Sequence, residues 1–411
     1  MSSILMSSSE CEYILSPKAI RDQAQKIFER SKKGQTHFAF FEEKLEPTVD
    51  YVMSVIENNY PSRDIPFHSR WGHFRAGGID RAFEFKSKIK HLDPLEQARC
   101  QLDLVITSVL LDAGAGVDWS YFEESSQKKF NRSEGLGVAS YYMFLSGCMD
   151  SEKKLRANAE GLKSVTRAEL EKHFQVSDKN PLVGAEGRVQ LLNNLARSLE
   201  NKEIFNEARP GHILDYLLNR HGRKIKAVHV LEAVLKGFGS IWPGRLQAKV
   251  HDHLVNLGDV WIYPPLAESE SKIKALVPFH KLSQWMTYSL IEPIREAGIE
   301  VSGVEELTGL AEYRNGGLMM DSGLIQLRNP ELAKKAWAPD SELIIEWRAL
   351  TIVLLDLIGE RVQKKLGQSA EDFPLAKVLE GGTWWAGRGL AQKLRVGAVP
   401  PLNIMSDGTV F

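Results

Sequence analysis

The sequence predicts a mostly α protein: one large helical domain over residues 16–411, with irregular Gly- and Trp-rich connections and few short strands. Three observations carry that expectation. Apolar residues recur at helical spacing through most of the chain, whereas alternation with a period of two is scarce. Glycine, tryptophan, histidine and arginine gather in short stretches that fit neither period and fall between the helical ones. No internal repeat or low-complexity tract is present, and a subdivision, if there is one, falls near 204–240.

Composition narrows the function. A chain of 411 residues that is 43% hydrophobic can bury a large core. Its 52 Lys and Arg nearly cancel 53 Asp and Glu, so the net charge of −1 gives no general attraction to nucleic acid or anionic membrane. Cys11, Cys100 and Cys148 are odd in number and lack metal-ligand spacing, which suits a reducing compartment. Residues 1–15 have no positive start and no long apolar run, so they read as a disordered tail rather than a secretory signal. The expectation is a soluble cytoplasmic protein acting on a small molecule without cofactor or metal; the sequence leaves a homo-oligomer open.

The elements follow in order. Ser16 caps a helix with Pro17 at its first position and Ile20, Ala24 and Ile27 on one face, and a second helix is expected over 45–56. Residues 65–81, IPFHSRWGHFRAGGIDR, pack His68, Arg70, Trp71, His73 and Arg75 into eight positions ahead of Gly77 and Gly78. Such donors beside an aromatic face suit an anion or a flat polar ligand; the alternative is a polar corner between helices. Residues 102–111 read as a buried helix, about half the roughly 20 residues a bilayer requires, and it ends at AGAG over 113–116. A capped helix over 132–147 offers Tyr141, Tyr142, Phe144 and Leu145 to the core. Residues 151–202 are a charged, solvated face with a helix over 189–199, and 205–237 supply two more helices, whose Asp215 and Glu232 read as surface acids.

Chemistry-bearing stretches crowd the second half. IWPGRL is a turn carrying Arg245, and LGDVWIYPPL sets Asp259 between Gly258 and Val260, two residues before Trp261. Partial desolvation there is expected to raise the Asp259 pKa; a solvent-facing turn acid is the alternative. Pro278 is expected to open a helix to Glu292, with His280, Gln284, Tyr288 and Glu292 recurring every four residues as a pocket wall or a polar seam. In LTGLAEYRNGG, Leu307, Leu310 and Ala311 fit an apolar helical stripe and Asn315, Gly316 and Gly317 a helix stop. Glu312, Tyr313 and Arg314 would then sit at a helix end, where bare glycine backbone admits a ligand. Asp321 follows. Ser341 caps a long helix that is apolar nearly all round, the core of this half. Gly381, Gly382 and Thr383 are expected to precede a short helix whose positive end suits an anion, with Arg388 a turn later, or else to form a tight packed corner. The spacing of a dinucleotide or P-loop motif is absent. The C-terminus, with Asp407, is expected to dock and close the pocket.

Taken together, FHSRWGHFRAGGIDR, LLDAGAGVDW, RSEGL, IWPGRL, GDVW, FHKLSQWMTYSLIEP, LTGLAEYRNGG, GGTWWAGR and SDGTVF resemble the fungal and bacterial uracil-catabolism protein family over nearly the whole chain. The resemblance implies a place in a route that opens the uracil ring of a nucleotide and leaves a ribosylated urea. A second resemblance is to the queuosine-nucleotide salvage hydrolases, helical enzymes that cut an N-glycosidic bond and carry ADLW followed by ADYR. Here GDVW and AEYR occur in that order, with Glu312 in place of the second aspartate and no VPQ after the arginine. These resemblances imply a metal-free N-ribosyl hydrolase with Asp259 and Glu312 as its carboxylates. The four arginines Arg70, Arg75, Arg314 and Arg388 become candidates for a phosphate, and His280, Gln284 and Tyr288 for urea or sugar. The competing readings are a metal-dependent amidohydrolase using His251, His253, His68, His73 or His280, and a non-catalytic nucleotide-binding protein of the pathway.

Overall fold

The computed structural model describes residues 2–112, 114–116, 118–242, 244–267 and 272–405. Ala113, Pro243 and the SDGTVF terminus with Asp407 lie outside the described residues, so the expected docking of that terminus does too. The fold is mostly α. Among the described residues the strands are two to five residues long and pair into one three-stranded sheet and several two-stranded ladders. The chain divides into two compact units, each built from separated segments. No described helix is long and apolar enough to cross a membrane.

The first unit comprises Met1–His68, Gly244–Gln284 and Gly303–Asp407. Its centre is the helix Glu342–Leu366, on which sixteen residues from Leu343 to Val362 are buried, and Gly367 ends it in the left-handed region at φ 66°. Against it packs the helix Pro17–Lys32, whose Ser16 side chain accepts from the Ala19 amide and whose Ile20, Ala24 and Ile27 face inward. Arg21 fastens the pair, donating to Asp356 at 2.8 Å and to the Leu307 carbonyl at 2.8 Å.

Three expectations are corrected in this unit. Residues read as a tail form the strand Ser2–Leu5, parallel to Leu246–Val250, and the helix Ser8–Ile14 behind a Ser7/Glu10 capping box. Met6, Cys11 and Ile14 join a core with Leu246, Ala248, Leu257, Val260 and Leu276, so burial outweighs the polar serine run. The second correction concerns Glu312, which begins a helix instead of ending one: Tyr313–Asp321 is helical and Glu312 is its cap. Leu307, Leu310 and Ala311 are buried, but in non-helical chain. Finally, Gly381–Gly382–Thr383 precedes no free helix end. It lies in a π-turn, Leu379–Thr383, continuous with the helices Leu375–Val378 and Trp384–Leu394, so its amides are already committed. A Cβ on Gly381 would stand 2.7 Å from Ile65 and one on Gly382 2.6 Å from Val52, which supports the packed-corner alternative.

Among the described residues the second unit comprises 69–242 and Trp285–Ser302. The helix Pro94–Leu110 starts on an Asp93 cap and is buried from Gln101 to Leu110, as the apolar run requires. Its Asp103 is fully buried and pairs with Arg209 at 2.6 Å. This unit also takes residues 285–296 of the helix Lys281–Glu296. The helix runs on through Pro293, where the sequence predicts an end at Glu292. Proline has no N–H for the Ser289 carbonyl, and the indole of Trp71 supplies that bond at 2.9 Å. Trp71 therefore serves the helix, and it is fully buried.

Candidate functional site

In the first unit the carboxylate of Glu312 is held by local geometry. Its backbone is extended and its two oxygens accept from the amides of Asn315 at 2.6 Å and Arg314 at 2.7 Å, the use of an acid that the positive end of a helix favours. The residue is 8% exposed. Burial pushes its pKa above the ordinary glutamate value, against the pull of those two amides and of the Lys281 and His68 charges. Asn315 stiffens the turn, donating to the Leu310 carbonyl at 3.1 Å and accepting from Thr383 at 2.9 Å. The glycines after it serve packing more than ligand access. A Cβ on Gly316 would sit 2.8 Å from the Trp347 ring, whose indole donates to the Gly316 carbonyl at 3.0 Å.

Asp259 is a different kind of acid. Arg348 grips it through both guanidinium nitrogens at 2.7 Å, Trp261 Nε1 donates at 2.6 Å and the Lys281 amide at 3.0 Å, so each oxygen takes two bonds. Burial alone would raise its pKa, as the sequence suggests, but the Arg348 charge and these bonds outweigh burial and hold it below the usual aspartate value. The expected upward shift is thus corrected. The sequence reading missed Arg348, although one arginine in the apolar run IIEWRALTIVLL was the available signal.

Arg348 also connects the two acids. Its Nε donates to the carbonyl of Ala311 at 3.3 Å, the residue before Glu312, while Lys281 bonds Asp259 through its amide and acts on Glu312 through its charge. His68 belongs to the same neighbourhood: Nδ1 contacts Glu380 at 2.7 Å, Tyr60 donates to that carboxylate at 3.0 Å, and the Trp384 ring lies tilted beside the imidazole at 5.9 Å. Glu380 sits in the π-turn, a second residue that sequence periodicity could not reveal.

The remaining first-unit candidates fall into separate settings. His280 precedes the helix at φ 46° and its Nε2 meets the Ile14 carbonyl at 3.0 Å, so it lies off the expected stripe, and burial pushes its imidazole pKa down. Gln284 is fully buried, and neither its amide oxygen nor its nitrogen has a hydrogen-bond partner. Arg245 lies over the Trp261 ring at 5.5 Å and Arg388 over Trp384 and Trp385 at 5.4 and 5.3 Å. Arg314 packs on Tyr313 and donates to the Ala398 carbonyl at 2.8 Å. Asp321 is paired with Arg395 at 2.7 Å, a clasp at the end of its helix.

In the second unit Arg70, His73 and Trp285 cluster, whereas Arg75 is half-exposed and bonds Glu292 at 3.0 Å. Tyr288 is fully buried in the same unit. Among the histidines proposed as metal ligands, His251 occupies a turn at φ 53° and His253 is exposed on a strand. Among the described residues the group with metal-ligand proximity is Cys148, Glu169 and His173, whose donor atoms lie within 4.8 Å of one another and include none of those histidines.

The family model described as "Protein of unknown function (DUF1688)" matches residues 13–411. The chain is 37% identical to "Uracil catabolism protein 4" of Lachancea kluyveri over 441 aligned positions, 97% of this chain and 98% of that protein. It is also 37% identical to "Protein urg3" of Schizosaccharomyces pombe over 422 positions, 99% of this chain and 100% of that protein. A match of that extent, with the Glu312 and Asp259 stretches inside it, means that the chain belongs to the DUF1688 family.

Proposed function

We propose that this protein acts in uracil catabolism as an N-ribosyl hydrolase, cleaving the N-glycosidic bond of ribosylurea or its 5′-phosphate to urea and ribose or ribose 5-phosphate. The pathway is supported by the name of the Lachancea relative, "Uracil catabolism protein 4". The observation that carries the chemistry is Glu312, a buried carboxyl with a raised pKa on a rigid helix cap, tied through Arg348 to an ionised Asp259. In this reading water adds to the anomeric carbon as the C–N bond breaks. The bonding pair leaves on the ureido nitrogen, which takes up a proton from solvent, and Glu312 takes the proton that water loses and returns it to solvent. A raised pKa makes Glu312 the stronger base of the two acids. Asp259, its lone pairs already engaged, positions Arg348 and through it the backbone before Glu312.

The test is to incubate the purified protein with synthetic ribosylurea, with and without the 5′-phosphate, and follow urea and sugar by mass spectrometry. Glu312→Gln should lose on the order of a hundredfold in rate while keeping its fold by circular dichroism. Release of urea at the unchanged rate by that variant, or no release from either substrate by the native chain, overturns the reading.

A further inference from the structure

Arg70 in the second unit is the least exposed charged group of the FHSRWGHFRAGG stretch, at 0%. Its Nε donates to Ser108 at 2.7 Å, and Nη1 meets the Asp112 carboxylate at 2.9 Å, His73 Nδ1 at 3.3 Å and the Ser133 carbonyl at 3.4 Å. The other nitrogen, Nη2, is buried with no hydrogen-bond partner. Beside it stands Trp285, 5% exposed, its ring 5.6 Å from the Arg70 guanidinium carbon and 5.6 Å from His73. The indole Nε1 of Trp285 is likewise buried without a partner. A buried donor left without an acceptor is destabilising, and here two such donors sit on neighbouring side chains.

The surroundings favour negative charge. Arg188, 1% exposed, is a second guanidinium acted on by the same Asp112, and it donates to the Leu111 and Gly114 carbonyls, so among the described residues two buried cations draw on the Asp112 carboxylate. Gly137 packs against this cluster: a Cβ there would stand 2.8 Å from the His73 Cβ and in ordinary contact with Nη2 at 3.6 Å. Both orphan groups are donors only, so what satisfies them must accept; a planar guanidinium and an indole N–H together suit an oxyanion.

We propose that the second unit holds an oxyanion site, with Arg70 Nη2 and Trp285 Nε1 as its donors, that takes the phosphoryl group of a small molecule. The inference does not depend on the hydrolase reading, because occupancy is read without turnover. Either free inorganic phosphate or the phosphoryl group of a sugar phosphate supplies the required chemistry, and the titrations below separate them.

The experiment records indole N–H resonances of the full chain by 1H–15N correlation while inorganic phosphate, ribose 5-phosphate or neutral ribose is added. Trp285→Phe identifies the Trp285 signal by its disappearance and keeps an aromatic ring against His73. The proposal expects the Trp285 N–H to shift with inorganic phosphate, ribose 5-phosphate or both, and not with ribose, and expects Trp285→Phe to bind about tenfold more weakly by calorimetry. A response to ribose 5-phosphate alone assigns the sugar phosphate, and a response to inorganic phosphate as well assigns the anion itself. Arg70→Gln removes half of a buried ion pair and puts folding at risk, so Trp285→Phe decides the question. No shift with either anion, or equal affinity in Trp285→Phe, overturns the site.

Discussion

The pairing of Asp259 with Arg348 yields the sharpest test of how the first unit is held. The side chains are 11% and 1% exposed, and four bonds converge on the carboxylate. Asp259→Asn keeps the shape but removes the charge that Arg348 grips with two bonds, a change that costs about 3–5 kcal/mol when one member of such a pair is removed. If the first unit, about 200 residues, unfolds cooperatively, a conversion of roughly 2–4 °C per kcal/mol gives a fall in Tm on the order of 10 °C. Arg348→Met in the same chain should restore part of that loss, because the buried cation that lost the Asp259 charge is gone, so the two changes should be strongly non-additive. The pH dependence has a definite sign. Asp259 has a folded pKa below its unfolded one, so its contribution is complete above the ordinary aspartate value and is lost as pH falls through the depressed folded pKa. Calorimetric scans of native, single and double variants at neutral and acid pH are the assay. An Asn variant within 2 °C of native at pH 7, or an additive double, refutes the argument.

Three further outcomes follow from the same geometry. If Glu312 works as a base, kcat/KM falls as pH drops through a pKa above the ordinary 4.5, and an activity that instead rises on acidification there contradicts the role. The linked stability runs opposite to Asp259, since a raised folded pKa makes stability decline as pH rises through that window. Gln284→Met deletes two buried polar atoms without partners and should be neutral or stabilising by about 1–3 kcal/mol in denaturant melts; a raised KM in the same variant would mark the amide as a substrate contact, and an unchanged one would remove Gln284 from the site. Gly387→Ala places a Cβ 2.1 Å from the Arg314 carbonyl, where backbone cannot move aside cheaply. It should therefore cost at least about 1–3 kcal/mol and lower activity by shifting the Glu312 turn, and a stable, fully active variant would show that the two helices separate freely.

The sequence by itself determined the helical class, because amphipathic periodicity and caps such as Ser16 with Pro17 act locally and need no knowledge of neighbours. It also located the polar stretches around Asp259 and Glu312, since acids beside tryptophan and glycine stand out in an apolar chain. What it could not carry was direction and partnership. Glu312 begins a helix because its side chain, free of the preceding non-helical turn, bonds the Arg314 and Asn315 amides, a local competition the glycines after it disguised as a stop. Asp259 is acidic rather than basic because Arg348, 89 positions away, is folded against it, and Glu380 reaches His68 across 312 positions. Those contacts depend on distances between remote segments, which burial of the Glu342–Leu366 helix sets, and burial is a property of the folded whole.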